Sequence, residues 1–275
     1  LDGSAIHETY DKCSEDFEAV AAAAGSVTEA ALQTLQAGHP LGSIAVTNPL
    51  GWEREDWVIL PGFAGDGVVT LVSDSGHRTL GQVSADGLGF VARVPAFGTV
   101  SYRIESRETA VTVGDLTVEP AFAPTDPRRH GAPVAPGAEP AYLQIETPAF
   151  RAYIRRDCGI IVSLLDKRVG RELVSYGTRR VADYMDSARP DLALNVLQLV
   201  EEQHHPMSAW HMDEVWSEQS CIRGATTRVI ETGPARIVLE VTHTLRSSHI
   251  VQRISFYREL PRIDFDTALD WKELG

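Results

Sequence analysis

The stretch Ile145–Val174, IETPAFRAYIRRDCGIIVSLLDKRVGRELV, constrains the fold more than any other part of the chain. It reads as strand, turn, strand, and then a polar segment. Ile145, Tyr153 and Ile154 fall in a run of alternating or buried apolar positions, the pattern of a strand. Asp157-Cys158-Gly159 supplies a tight turn, because glycine takes a positive φ at no steric cost. Ile160, Ile161, Val162, Leu164 and Leu165 form a second strand, rich in the β-branched residues that fit a pleated surface. Asp166-Lys167-Arg168 ends it, and Gly170-Arg171-Glu172 makes a second charged turn. On physics alone the block is one hairpin of a large sheet.

The 275 residues suffice for one large or two ordinary domains with real cores. The formal net charge of −13 argues against nucleic acid or an anionic membrane surface as partner, since both repel excess carboxylate. No apolar run approaches the roughly 20 residues of a membrane-spanning helix. Cys13, Cys158 and Cys221 lie far apart with no C-x-x-C spacing, so neither a disulfide framework nor a structural zinc site is expected. A reducing, cytoplasmic compartment is the expectation. There is no initiator Met and no signal-like segment, and the chain reads as a piece of a longer protein.

Residues 4 to 24 carry a helical pattern, with Ile6, Tyr10, Cys13, Phe17, Val20 and Ala24 at three- and four-residue spacing. Gly25 interrupts, Ser26 and Glu29 match a capping box, and an apolar stripe continues to Gly38, so either two helices or one flawed helix is expected. From His39 the texture is β. Ile44 and Val46, Trp57–Leu60, Val68–Val72, Gly89–Val94 and Gly98–Ile104 alternate with Gly, Pro, Asp and Ser at intervals typical of a small sandwich or barrel. Asn48-Pro49-Leu50-Gly51 reads as a turn, with Trp52 covering the sheet. Residues 121–140 hold five prolines and little apolar surface, as a linker would. Beyond the hairpin, Val196, Leu197, Leu199 and Val200 read as a buried run. Ala235–Val241, Ile250–Tyr257 and Arg262–Trp271 are strands, the last with Ile263, Phe265, Thr267 and Leu269 on one face and Asp264, Asp266 and Asp270 on the other.

The segment 201–218, EEQHHPMSAWHMDEVWSE, gathers two tryptophans, three histidines and five carboxylates. Three readings compete. One is a carbohydrate-facing loop, since indoles stack on sugar faces while carboxylates and imidazoles bind hydroxyls. Another is a metal site from His204, His205, His211 and Asp213. Adjacent histidines on a strand point to opposite sides, and the spacing matches no standard zinc pattern, which argues against it. The third is an ordinary polar loop anchored by Trp210 and Trp216.

Four phrases together resemble the C-terminal part of glycoside hydrolase family 38, the α-mannosidases. They are Gly159–Val174, V-x-N-P-L-x-W-x-R at Val46–Arg54, Ala209-Trp210-His211-Met212-Asp213, and the run from Ser248 through Tyr257 and Pro261 to Glu273. The third is similar to A-W-D-I-D of bacterial members, with His211 where Asp is usual and Met212 where Ile is usual, while Trp210 and Asp213 match. The resemblance implies a mainly β fold: a short N-terminal helical segment, a small β-sandwich domain, then part of a large galactose-mutarotase-like β-sandwich. It divides the chain into the end of a helical bundle (1–38), a small β domain (39–120), a Pro-rich linker (121–140) and the N-terminal part of the large sandwich (141–275).

It also implies a retaining α-mannosidase that hydrolyses terminal α-mannosides in the intact protein. In that family the nucleophilic Asp and a zinc ion lie in a catalytic domain ahead of this region. No H-x-D ligand pair and no H-D-x-x-x-G-T-like segment stands before the first helix. The expectation is therefore no catalytic residue, no metal ligand and no cofactor within these residues, zinc in the missing catalytic domain, and inertness alone. Trp210 and Asp213 are the expected substrate-binding residues, with α-mannoside carbohydrate and the protein's own catalytic domain as partners. Two other classes compete: a non-catalytic carbohydrate-binding β-sandwich module, and a mutarotase-like sugar epimerase, which would need a Glu base and a His acid in a complete groove.

Overall fold

A computed structural model of the chain describes residues 7–108, 114–122, 139–174, 193–203, 215–220 and 224–272. The fold is mainly β, preceded by one helix. Helix α1 runs unbroken from His7 to Gln36. The alanine-rich run carries it through Gly25, and Ser26 does not cap a second helix. Its hydroxyl donates instead to the Ala22 carbonyl at 3.0 Å, the bond a mid-helix serine makes to the preceding turn. The apolar stripe is exposed, with Phe17 at 74%.

The first sheet comprises β1 (Ile44–Thr47), β2 (Arg54–Leu60), β3 (Val68–Ser73), β4 (Arg78–Ser84), β5 (Gly87–Val94) and β6 (Thr99–Glu108). They pair antiparallel in the order β1-β6-β3-β4-β5-β2. Val69, Leu71, Leu88, Phe90, Ala92, Val94 and Tyr102 form its core. Asn48 holds the expected turn. Its amide donates to the carbonyls of Trp52 and Pro95, at 2.7 and 3.0 Å, and its Oδ1 accepts from Leu50 N–H. Trp52 does not cover the sheet: it is 63% exposed, because the turn directs the chain away before β2 begins.

Two further sheets form the sandwich. One holds β7 (Thr117–Ala121), β8 (Tyr142–Glu146), β9 (Phe150–Arg155), β10 (Ile161–Asp166) and β11 (Arg171–Glu172), ordered β11-β10-β9-β8-β7. The other holds β14 (Ala225–Glu231), β15 (Arg236–Leu245), β16 (Ser248–Tyr257) and β17 (Ile263–Asp270), in sequence order. Between them, β12 (Gln198–Glu202) and β13 (Val215–Ser220) pair as a separate hairpin. The two large sheets share one core, in which Ile145, Ala152 and Ile154 meet Leu239, Val241, Ile254 and Phe256. Each of these side chains larger than alanine contributes about 1.5–3 kcal/mol by leaving water.

The organising segment is four strands rather than two: its first strand splits into β8 and β9, and Arg171-Glu172, expected as a turn, pairs with β10 as β11. Thr147, almost wholly buried, accepts the N–H groups of Ala149 and Phe150 on its hydroxyl at 3.2 and 2.8 Å and so turns β8 into β9. Gly159 has φ 72° and approaches β15, where an added Cβ would meet Val241 at 2.5 Å; no other residue fits that turn. β7 pairs with β8, so the sandwich sheet begins ahead of the proline-rich stretch, whose residues 123–138 lie outside the described residues. Val200 is exposed and Leu197 and Leu199 are half-buried, so the run is not buried as a whole; Val196 packs beside a core cluster, and among the described residues β12 pairs with β13 alone. Among the described residues no helix is long and apolar enough to cross a membrane.

Candidate functional site

Trp210 and Asp213 lie outside the described residues, as do His204, His205 and His211. What is described is the pair of strands they connect. β12 and β13 run from Gln198↔Ser220 to Glu202↔Val215, with a register shift at Glu201/Glu202. Glu201, one of the five carboxylates of that segment, forms an ion pair with Arg246 in the turn between β15 and β16. The hairpin that carries residues 203–214 is thus tied to the sandwich at one end of its third sheet.

The densest polar constellation among the described residues is elsewhere, where the first sheet meets the outer face of β14–β17. Gln82 on β4 reaches into the turn before β15. Its Oε1 accepts the N–H groups of Ala235 and Arg236, both at 3.1 Å, and its Nε2 donates to the Arg236 carbonyl at 3.0 Å and to Glu231 at 2.6 Å. Gly233 makes room, since a Cβ there would sit 2.2 Å from Gln82 Oε1. Arg236 is only 7% exposed. Its guanidinium forms a two-point pair with Glu231 and lies 4.8 Å from the Trp57 ring centroid. Trp57 in turn packs on Tyr257 with ring centroids 5.5 Å apart. Arg262 closes the seam, donating to Asp56 at 2.7 Å and to Asp264 at 3.1 Å. Tyr257 also donates to Asp264, at 2.8 Å.

Sequence reasoning missed this seam. The available signal was Arg236, a charge leading directly into the apolar run Ile237–Leu239; buried arginine needs a partner. Gln82 carried no signal at all, because its role depends on a residue 154 positions away.

An open cleft of about 480 Å³ lies between β9–β11 and β17. Phe150, Leu164, Leu173, Ile263 and Phe265 line it, with Asn195 and Arg262 as its polar members. Asn195 donates to Gln252 at 2.6 Å, and Gln252 donates to Thr267 at 3.0 Å, so a buried amide chain backs the cleft.

The electrostatics are those of a scaffold. Burial pushes the Asp56 carboxyl up, but the Arg262 hydrogen bond and the charges of Arg262 and Arg54 outweigh it and hold the group below its ordinary value. Glu146 behaves alike: burial raises it, while Arg151 and Lys167 lower it overall. A general acid in glycoside hydrolysis needs a raised pKa, so neither carboxyl suits that role. Burial lowers His243 and pushes the Cys158 thiol up to about 11, which leaves both uncharged at neutral pH. Among the described residues no group of three or more His, Cys, Asp or Glu is placed to hold a metal ion.

An antiparallel two-sheet sandwich with a six-stranded sheet docked on its outer face defines a β-rich module. Residues 145–274 match the family model of the glycosyl hydrolases family 38 C-terminal domain. This region is therefore similar to the C-terminal domain found in glycosyl hydrolases family 38, a family of glycosidases. No curated protein matches the chain.

Proposed function

We propose that the chain is the C-terminal β region of a retaining α-mannosidase that hydrolyses terminal α-mannosides, working in the cytoplasm with a catalytic domain that carries the carboxylate pair and the zinc. The observation that carries this reading is the match of residues 145–274 to the family 38 C-terminal domain. In this reading the β region is a rigid support, and its contribution to the sugar comes from the β12–β13 connection, with Trp210 stacking on a pyranose face and Asp213 accepting from hydroxyls. Two facts support that assignment. Indoles and carboxylates occur together there, which neither a core nor a merely solvated loop accommodates well. The strands that present the connection are anchored through the Glu201–Arg246 ion pair.

Titrating the chain with methyl α-mannoside, followed by tryptophan fluorescence and calorimetry, tests the assignment. Weak saturable binding is expected. Trp210→Ala should weaken it by about 1–3 kcal/mol, as loss of a stacking anchor does, and leave the melting temperature unchanged. A lower melting temperature with unchanged sugar binding would assign Trp210 to packing instead.

A further inference from the structure

The turn between β15 and β16 breaks a local rule. Leu245 pairs with Ser248, so Arg246 and Ser247 make a two-residue hairpin turn. Such turns need a positive φ at the first or at both central positions, which glycine or asparagine commonly supplies. Here the residue is arginine: of the two, Arg246 alone has a positive φ, of 52°. A long side chain in the left-handed region strains the backbone. The surrounding structure holds it there. β15 and β16 pair without a break from Arg236↔Tyr257 to Leu245↔Ser248. Ser248 is fully buried, and its hydroxyl accepts the N–H of Lys272 at 2.9 Å.

From this strained position the Arg246 guanidinium meets Glu201 on β12, a residue 45 positions away. Both side chains stay about half exposed, 53% for Arg246 and 41% for Glu201. At that exposure an ion pair contributes no more than the left-handed backbone costs, so the pair adds nothing to net stability. Its effect is on orientation. Among the described residues β12 and β13 pair with no other strand. Their ladder carries a bulge beside the pair: Glu201 faces Ser217 and Glu202 faces Val215, which leaves Trp216 as the extra residue of β13. A bulge bends and twists a two-stranded ribbon and re-aims what it carries. The ribbon is thus held by Arg246 at the point where it bends.

We propose that Arg246 is a positioning residue: the β15–β16 turn keeps it in a strained conformation so that its guanidinium braces Glu201 and fixes the angle at which β12 and β13 leave the sandwich. The chain gives up stability at the turn in exchange for a defined ribbon. Residues that break a local rule without a gain in stability mark sites where geometry matters more. The brace itself stands on the turn, the ion pair and the bulge. That the braced ribbon orients groups toward a sugar rests on the mannoside reading.

The test uses the full 275-residue chain and reads three quantities: melting temperature, amide hydrogen exchange and binding of methyl α-mannoside. Arg246→Asn supplies a residue that accepts positive φ and removes the cation. It should raise the melting temperature by about 2–4 °C, the shift that relief of such strain gives in a chain of this size. In the same variant, exchange at Gln198–Glu202 and Val215–Ser220 should speed up about two- to five-fold, with β15 and β16 unchanged. Arg246→Lys keeps the charge and should hold exchange in the ribbon near the wild-type rate, which a purely structural role of the turn would not predict. A lower melting temperature in Arg246→Asn overturns the proposal, as does unchanged exchange in β12 and β13. Weaker mannoside binding in Arg246→Asn supports the brace together with the mannoside reading. Faster exchange in a chain that binds no mannoside upholds the brace and removes the mannoside reading alone.

Discussion

Gln82 and Arg236 pair through their polar groups as adjacent strands do, although they belong to different sheets: the Gln82 amide accepts the Arg236 N–H at 3.1 Å and donates to the Arg236 carbonyl at 3.0 Å. A side chain thereby stands in for a strand, and the first sheet is locked to the sandwich by a buried contact in which both ends of the amide are used. Gln82→Leu keeps the volume and strips the polarity. It leaves the N–H groups of Ala235 and Arg236 buried without acceptors, and the expected cost is about 2–4 kcal/mol. Chemical denaturation monitored by tryptophan fluorescence measures it; a loss below the scatter of the method would show that water replaces the amide.

Arg236 and Glu231 form the charged part of the same seam, with side chains that are 8% and 13% exposed. Removing one partner strands the other, so Glu231→Ala should destabilise by about 3–5 kcal/mol. Replacing both, as Glu231→Leu with Arg236→Met, should recover much of that loss, because methionine keeps an apolar stem over Trp57. Equal stabilities of the single and double variants would remove the coupling on which this seam depends.

Stability should fall in two steps as pH drops. His243 has a folded pKa below its ordinary 6.5 because burial disfavours the imidazolium. The unfolded chain then takes up the proton first, so stability is complete above pH 6.5 and erodes as pH falls below it. Asp56 and Glu146 are held below their ordinary values by arginine and lysine partners. Their contribution is present above the unfolded pKa values of 3.8 and 4.5 and is lost as pH falls through the folded ones. His243→Leu should abolish the upper step and leave the lower. A single acid transition, identical in wild type and variant, would contradict the assignment.

Cys158 and Cys13 should differ sharply as thiols. Cys158 is buried and its pKa of about 11 leaves almost no thiolate at neutral pH, whereas Cys13 lies exposed on α1. Brief alkylation of the native chain, mapped by mass spectrometry, should label Cys13 and spare Cys158 until denaturant is added. Rapid native labelling at Cys158 would mean that the turn at Gly159 opens readily.

Periodicity made the sandwich legible where both faces of a strand have a clear fate. The β-branched run at Ile160–Leu165 is β10, and the alternation of Ile263, Phe265, Thr267 and Leu269 against the aspartates is β17. β4 and β14 were not legible, since RTLGQVS and ATTRVIE hold few apolar residues and are strands because of their neighbours. The run at Val196–Val200 misled in the opposite direction, because Leu199 and Val200 lie in a two-stranded hairpin that, among the described residues, has no second layer to bury against. Of the candidate site, composition pointed to Trp210 and Asp213, which lie outside the described residues. It gave no hint of Gln82, whose environment is made by distant chain.

The central claim is that these residues support sugar recognition without holding the machinery of hydrolysis. The most direct measurement is release of the aryl group from an aryl α-mannoside by the purified 275-residue chain, across acid and neutral pH and with zinc added. No turnover above the blank is the predicted result, since retaining hydrolysis needs two carboxyl groups about 5 Å apart with one pKa raised. Turnover that scales with protein concentration and disappears in Asp213→Asn would contradict the account and make the β12–β13 connection a catalytic site.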